Sequence, residues 1–194
     1  MKFKIFSLPI REFKAIINGI IIFWPTTIFG FFLRKLVYRK LLKTAGDNIV
    51  FESGVRLGSP DLIEIGENCI FGRNVNINAG NCFGVFIGNN VAIADGTYLR
   101  SANHSFSRID IPIKSQGHYA AEINFQNRIY SVVIEDDVWI GARAIILSGA
   151  SIGRGSIISA GAVVSNVIPP YSIVVGNPGR VVSNREKLIK NEKI

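Results

Sequence analysis

IEDDVW-IGARAI-ILSGAS-IGRGSI-ISAGAV-VS, residues 134–165, returns to an aliphatic side chain at every sixth position. The hits are Ile134, Ile140, Ile146, Ile152, Ile158 and Val164, usually followed by Gly or another small residue. A helix would repeat near 3.6 and a half-buried strand at 2, while sandwich strands alternate with variable turn spacing. A fixed period of six is the mark of a solenoid. Each short strand would give one inward aliphatic side chain, and the corner beside it admits only small residues or glycine. Three strands would close one triangular coil of about eighteen residues.

Working outward, the period runs through Ile65, Phe71, Ile77 and Phe83, then resumes after a four-residue step at Ile87, Ile93 and Leu99. A weaker start is visible at Phe51 and Leu57, with an irregular join before Ile65. Between Leu99 and Ile134 the register is lost, which predicts a loop extruded over about residues 105–131. The organisation expected is a helical segment over 1–46, the solenoid over 47–182 and a polar tail over 183–194.

Composition fits one folded domain with an appendage. Of 194 residues, 48% are hydrophobic and 19% charged, which excludes a disordered chain. The net charge of +8 is confined to residues 1–43, where nine basic residues face Glu12 alone; the remainder is neutral. Because that segment is also strongly apolar, its charge suits a membrane surface better than a nucleic-acid groove. Residues 10–43 read as one or two helices broken at Pro25, with basic clusters at both ends. They would cap the first coil, or make peripheral contact with the inner face of the cytoplasmic membrane. Ala15 to Leu33 is near bilayer-spanning length but is interrupted by Asn18, Pro25, Thr26 and Thr27. The two cysteines, Cys69 and Cys82, show no disulfide or metal spacing, which suits a reducing cytoplasm. A metal hydratase would need three His ligands, and the chain has two His, so no metal is expected.

The stretches Asp136 to Ala142, Ser159 to Val164, Ile168 to Ser172 and Val175 to Arg180 resemble the hexapeptide-repeat acyltransferases, in their maltose, galactoside and polysaccharide O-acetyltransferase branch. The resemblance covers about Phe51 to Val182. It implies a left-handed parallel β-helix, a homotrimer with sites between neighbouring subunits, acetyl-CoA as cosubstrate and a sugar hydroxyl as acceptor. The family places its catalytic histidine in this type of loop in an Asn-His setting, which points to His104 after Asn103. The role is chemically sound, since a hydroxyl is a weak nucleophile at neutral pH and a thioester needs only a base to accept the hydroxyl proton. His118, farther along the loop, is a second candidate base.

The same resemblance assigns Trp139, Gly141, Ala142 and Ala160 to the CoA tunnel, with backbone N–H groups at Ala142 and Ala160 facing the thioester and the pantetheine arm. Ser165, Asn166 and Arg180 match positions at the adenosine end; a basic residue is common where Asn166 stands, which shifts phosphate binding toward Arg180. For the acceptor, Asn76 falls where relatives touch the sugar, with Asn78, Asn74 and Asn103 nearby. Asparagine is equally at home at solenoid corners, where it tolerates left-handed backbone angles. Galactoside-type enzymes carry an Asp near Asn81 and Cys82, and its absence argues against a small free sugar; the loop stretches Asn103 to Phe106, Ile111 to Ile113 and Gln116-Gly117 resemble the branch that modifies surface polysaccharides, which implies such a polysaccharide or its precursor as acceptor. Two other functions fit parts of the pattern: N-acetylation of an amino sugar nucleotide, and a non-catalytic binding solenoid.

Overall fold

The computed structural model describes Ile16, residues 19–80 and residues 82–187. In it the hexads become short parallel strands that stack into three sheets, the faces of a triangular β-solenoid of about six turns. Face one stacks Thr44–Ala45, Ile63–Ile65, Val85–Ile87, Val132–Ile134, Ser151–Ile152 and Val167–Ile168. Face two stacks Val50–Phe51, Ile70–Phe71, Ala92–Ile93, Trp139–Ile140, Ile157–Ile158 and Ser172–Val175. Face three stacks Arg56–Gly58, Asn76–Asn78, Tyr98–Arg100, Ile145–Leu147 and Val163–Val164.

The six-residue period is the core itself. Ile65, Ile87, Ile134, Ile152 and Ile168 form one ladder. Phe51, Phe71, Ile93, Ile140, Ile158 and Val174 form the second, and Leu57, Ile77, Leu99, Ile146 and Val164 the third. A second inward position, two residues before each rung, is also buried and is filled by small side chains such as Val75, Val138, Ala144 and Ala162. The polar residues found there are satisfied locally, as buried polar groups must be. Thr97 Oγ1 donates to the carbonyls of Ala94 at 2.8 Å and Gly141 at 3.2 Å, and Cys69 Sγ to that of Gly88 at 3.2 Å.

Two sequence expectations change. Phe83 is not a rung: it is 41% exposed in an enlarged corner, and the buried core residues on either side of it are Ala79 and Val85. Gly84, at φ +93°, brings the chain back so close that a Cβ would lie 2.4 Å from the Leu62 carbonyl oxygen. The glycines after the rungs, moreover, are required for space and not for backbone freedom. Gly66, Gly72 and Gly88 lie outside the left-handed region, but a Cβ on them would meet Asn89, Asp95 and Asp136 Oδ1 at 2.4, 2.3 and 2.3 Å. The left-handed residues sit two positions later, at Asn68, Asn74, Asn90, Asp137 and Arg143, so Asn74 is a corner residue.

The ends of the stack are covered. Helix α1 (Ile28–Leu41) follows a break at residues 24–27, with Thr27 Oγ1 accepting from Gly30 N at 3.1 Å as its N-cap. Its stripe of Gly30, Arg34 and Tyr38 is buried. Arg34 Nε donates to the Phe51 carbonyl at 2.8 Å and the Tyr38 hydroxyl to that of Val55 at 2.6 Å, closing first-coil carbonyls that no earlier coil could reach. Burial pushes the Tyr38 pKa up to about 12. Of the segment expected over 10–43, residues 10–15, 17 and 18 lie outside the described residues. At the far end Arg180–Asn184 runs antiparallel to Ser172–Val175 and crosses the boundary expected at 182. No helix among the described residues is long and apolar enough to cross a membrane.

The chain leaves the stack after Arg100 and rejoins it at Val132. Within this excursion Asn103–His104 pairs antiparallel with His118–Tyr119, and Ile123–Phe125 with Arg128–Tyr130. The second hairpin lies on face one, with Phe125 and Tyr130 5.0 and 5.5 Å from the Phe86 ring. It is latched by Glu64, whose carboxylate takes Lys43 Nζ at 2.8 Å, Arg128 Nη1 at 2.9 Å and the Tyr130 hydroxyl at 3.0 Å.

Candidate active site

At three of the lower corners the backbone N–H two residues past the rung is closed in a regular way by a side chain. Glu67 N donates to Asn89 Oδ1, Arg73 N to Asp95 Oδ1 and Asn89 N to Asp136 Oδ1, at 2.9, 2.9 and 2.6 Å. In each case the acceptor is the equivalent residue of the next coil, lying over the glycine that has made room for it. Along the edge where face two meets face three, Ala142 and Ala160 occupy these positions. Ala160 has no side-chain acceptor to offer Ala142, and the residue above Ala160 is Gly176. Among the described residues neither N–H has a hydrogen-bond partner. Gly141 N, in contrast, is spent in the ladder on the Ile158 carbonyl at 2.7 Å. Gly141 thus contributes space, and Ala142 and Ala160 contribute donors. Two stacked free donors flanked by methyl groups can bind carbonyl oxygens of an extended ligand.

The opposite edge of face three carries the loop. His104 stands opposite His118 in the hairpin register, with ring centroids 4.7 Å apart, and both are exposed. Neither imidazole has a hydrogen-bond partner among the described residues. Two recesses flank the pair. One, of about 190 Å3, is lined by His104, Ser105, Phe106, Ser107 and Tyr119. The other, of about 320 Å3, is lined by Ser59, Asn78, Gly80, Cys82, Arg100, Ala102 and His118. The loop returns to the stack through Ala121 N, which donates to Ser148 Oγ at 2.8 Å.

The residues assigned from sequence fall on both edges. Ala142, Ala160 and Gly141 share the edge between faces two and three, and Trp139 stands beside them on the outer side of face two, 54% exposed. Arg180 begins the terminal strand laid along the last coil of face two. Ser165 and Asn166 lie at the other edge, between faces three and one, as His104 does. Asn78 lines the larger recess, whereas Asn76, on the same strand, does not. Asn103 pairs with Tyr119. Asn81 is outside the described residues. Arg100 and Tyr119 were not singled out from sequence; the former occupies the outward position after the Leu99 rung, where periodicity is silent about polar residues.

Comparison with known proteins gives the class. Residues 131–166 match the family model described as bacterial transferase hexapeptide (six repeats), and residues 63–101 that of the hexapeptide repeat of succinyl-transferase. The galactoside O-acetyltransferase of Escherichia coli is 31% identical over 149 residues, 77% of this chain and 67% of that one. A relative from Mycobacterium tuberculosis is 36% identical over 124 residues, 64% of this chain, so that the match spans only 38% of its length. The hexapeptide-repeat acetyltransferase of Vibrio cholerae superposes with a TM-score of 0.71 at 26% identity, covering 88% of each chain. Solved with acetyl-CoA, that protein superposes with a TM-score of 0.68 at 25% identity over 93% of this chain and 90% of its own. The solenoid is that of a hexapeptide-repeat transferase, and the chain belongs to the hexapeptide-repeat acetyltransferase family.

Proposed function

We propose that the protein transfers the acetyl group of acetyl-CoA to a sugar hydroxyl of a surface polysaccharide or its precursor, with His104 as general base. The observation that carries this reading is the stacked pair of N–H groups at Ala142 and Ala160, both flanked by methyl side chains and without a partner among the described residues, on the edge where Arg73 N is closed by Asp95. His104 takes the hydroxyl proton as the oxygen attacks, the Ala142 N–H faces the negative charge that develops on the acyl oxygen, and the Ala160 N–H holds the pantetheine arm. Trp139 and Gly141 shape the wall beside them, Ser165, Asn166 and Arg180 hold the nucleotide end, and Asn76, Asn78 and Asn103 contact the acceptor.

These groups need two copies of the chain. Ala142 and the His104 loop are separated by the width of face three, about 15 Å for a strand of this length, whereas a general base works within about 3 Å of its proton. The partner we propose is a homotrimer. Its support is the outward column of face two, Val50, Ile70, Ala92, Trp139, Ile157 and Ile173, apolar throughout where a solitary solenoid would be polar. A second contact is proposed for α1. Its side away from the first coil exposes Ile28, Phe29, Phe32 and Leu36 among Lys35, Arg39 and Lys40. No acidic residue lies between Glu12 and Asp47, which suits an anionic lipid surface at the cytoplasmic side. Co-sedimentation with phosphatidylglycerol vesicles but not phosphatidylcholine vesicles is expected; recovery in the supernatant with both would refute the contact.

The test of function is thiol release from acetyl-CoA with a panel of hydroxyl and amino sugar acceptors. Acceptor-dependent release that falls about 10^2- to 10^4-fold in His104→Ala is expected. Near-normal turnover in that variant would remove His104 from the chemistry, preference for the amine would make the enzyme an N-acetyltransferase, and absence of both turnover and CoA binding would leave a binding solenoid.

A further inference from the structure

Arg100 projects from face three between Asn78 of the coil before and Leu147 of the coil after. Its guanidinium is held in place: Nε donates to the Ala102 carbonyl at 2.9 Å and Nη1 to the Tyr98 hydroxyl at 3.4 Å. Nη2 has no partner among the described residues. The group lines the larger recess beside His118, and the described lining contains no carboxylate. Glu64, which latches the second hairpin, already binds Lys43 and Arg128 with its two oxygens. Elsewhere Arg39, Arg73, Arg108 and Arg185 each meet a carboxylate of this chain, whereas Arg100 meets none among the described residues.

A fixed, half-buried guanidinium in a concave site attracts oxyanions, because its fork matches carboxylate and phosphate geometry. The neutral groups around it suit a sugar ring. Asn78 Oδ1 is engaged by Gly80 N at 2.9 Å, which leaves its Nδ2 to donate, and Ser59 can donate or accept. We infer that the acceptor is an anionic saccharide, whose carboxylate or phosphate is held by Arg100 while a hydroxyl of the same unit is presented to the histidine pair. The inference rests on the acyl-transfer reading, to which it adds the charge of the acceptor.

Cys82 makes the inference testable without turnover. It lines the same recess and is partly exposed, whereas Cys69 is sealed in the core. Alkylation of Cys82 by iodoacetamide in the full-length protein, in buffer without added thiol, would be followed with methyl glucuronide, glucose 1-phosphate or methyl glucoside added. At least one anionic probe is expected to protect Cys82 at a concentration about ten-fold or more below that needed by methyl glucoside, consistent with a charge-assisted contact. Which of the two does so identifies the anion as carboxylate or phosphate. Arg100→Met should abolish the preference and Arg100→Lys retain part of it, while continued inertness of Cys69 shows that each variant is folded. Equal protection by the neutral glycoside, protection by none of the three, or a preference that survives in Arg100→Met would overturn the inference. Failure of acetyl-CoA turnover in the separate thiol-release assay would instead strike the reading on which it rests.

Discussion

The edge between faces two and three is built in two ways. In the lower coils Arg73 N is closed by Asp95, over a glycine that gives the carboxylate its place. Higher up, Gly141 keeps the same space, but the residue above it is Ala160 and the Ala142 N–H stays free. The lower arrangement stabilises a corner by completing its hydrogen bonds, and the upper one leaves a donor for something that is not part of the chain.

The most severe way to break this difference is Ala160→Asp, which would supply the missing acceptor over Gly141. We expect acetyl-CoA turnover to fall about 10^2-fold or more, the scale for losing one such donor, with thermal stability unchanged or raised; full activity would show that the free N–H groups are incidental. Next, Gly72→Ala would push the Asp95 carboxylate from its place at the closed corner, where a Cβ would come within 2.3 Å of Oδ1. A loss of about 1–3 kcal/mol in denaturant unfolding is expected. Asp136→Ala, which only uncovers Asn89 N, should cost about 1 kcal/mol and lower the Tm by roughly 2–4 °C without changing turnover.

The smallest effect concerns the loop latch. Burial acts to raise the Glu64 carboxyl, but hydrogen bonds from Lys43 and Tyr130 and the charges of Lys43 and Arg128 outweigh it and hold the pKa below its ordinary value of 4.5. Stability from this group is therefore fully present above that ordinary value and is lost as pH falls through the lower folded one. Melting curves between pH 6 and pH 3 should steepen less with pH in Glu64→Gln than in the wild type; identical curves would show that the latch contributes nothing.

The core was legible because its period is one-dimensional: each rung from Ile134 to Val164 is in register in the sequence alone, and the ladders follow it. Phe83 misled because apolarity and spacing do not report which way a side chain points in an enlarged corner. The position of His104 at the root of the loop was readable from the break after Leu99. Its distance from Ala142 was not, since chain order conceals that His104 and Ala142 lie on opposite edges of one face. The free donors were hidden for a similar reason: their freedom depends on the residue about one coil farther along, Ala160 for Ala142, and only the stacking register shows that pair.

The loop excursion has a consequence for how this architecture can diversify. Successive closed corners are joined through 22 positions from Glu67 to Asn89, and through 47 from Asn89 to Asp136, where the loop intervenes. Chain-closure entropy grows only with the logarithm of length, so this doubling costs about 0.6 kcal/mol. An insertion that contains the histidine pair and lines both flanking recesses is therefore nearly free in thermodynamic terms. Natural variation can lengthen, shorten or rewrite that excursion while the stacked rungs and the Ala142 edge stay as they are; under the function proposed above, the choice of acceptor is open to change at a site where the donor machinery is not.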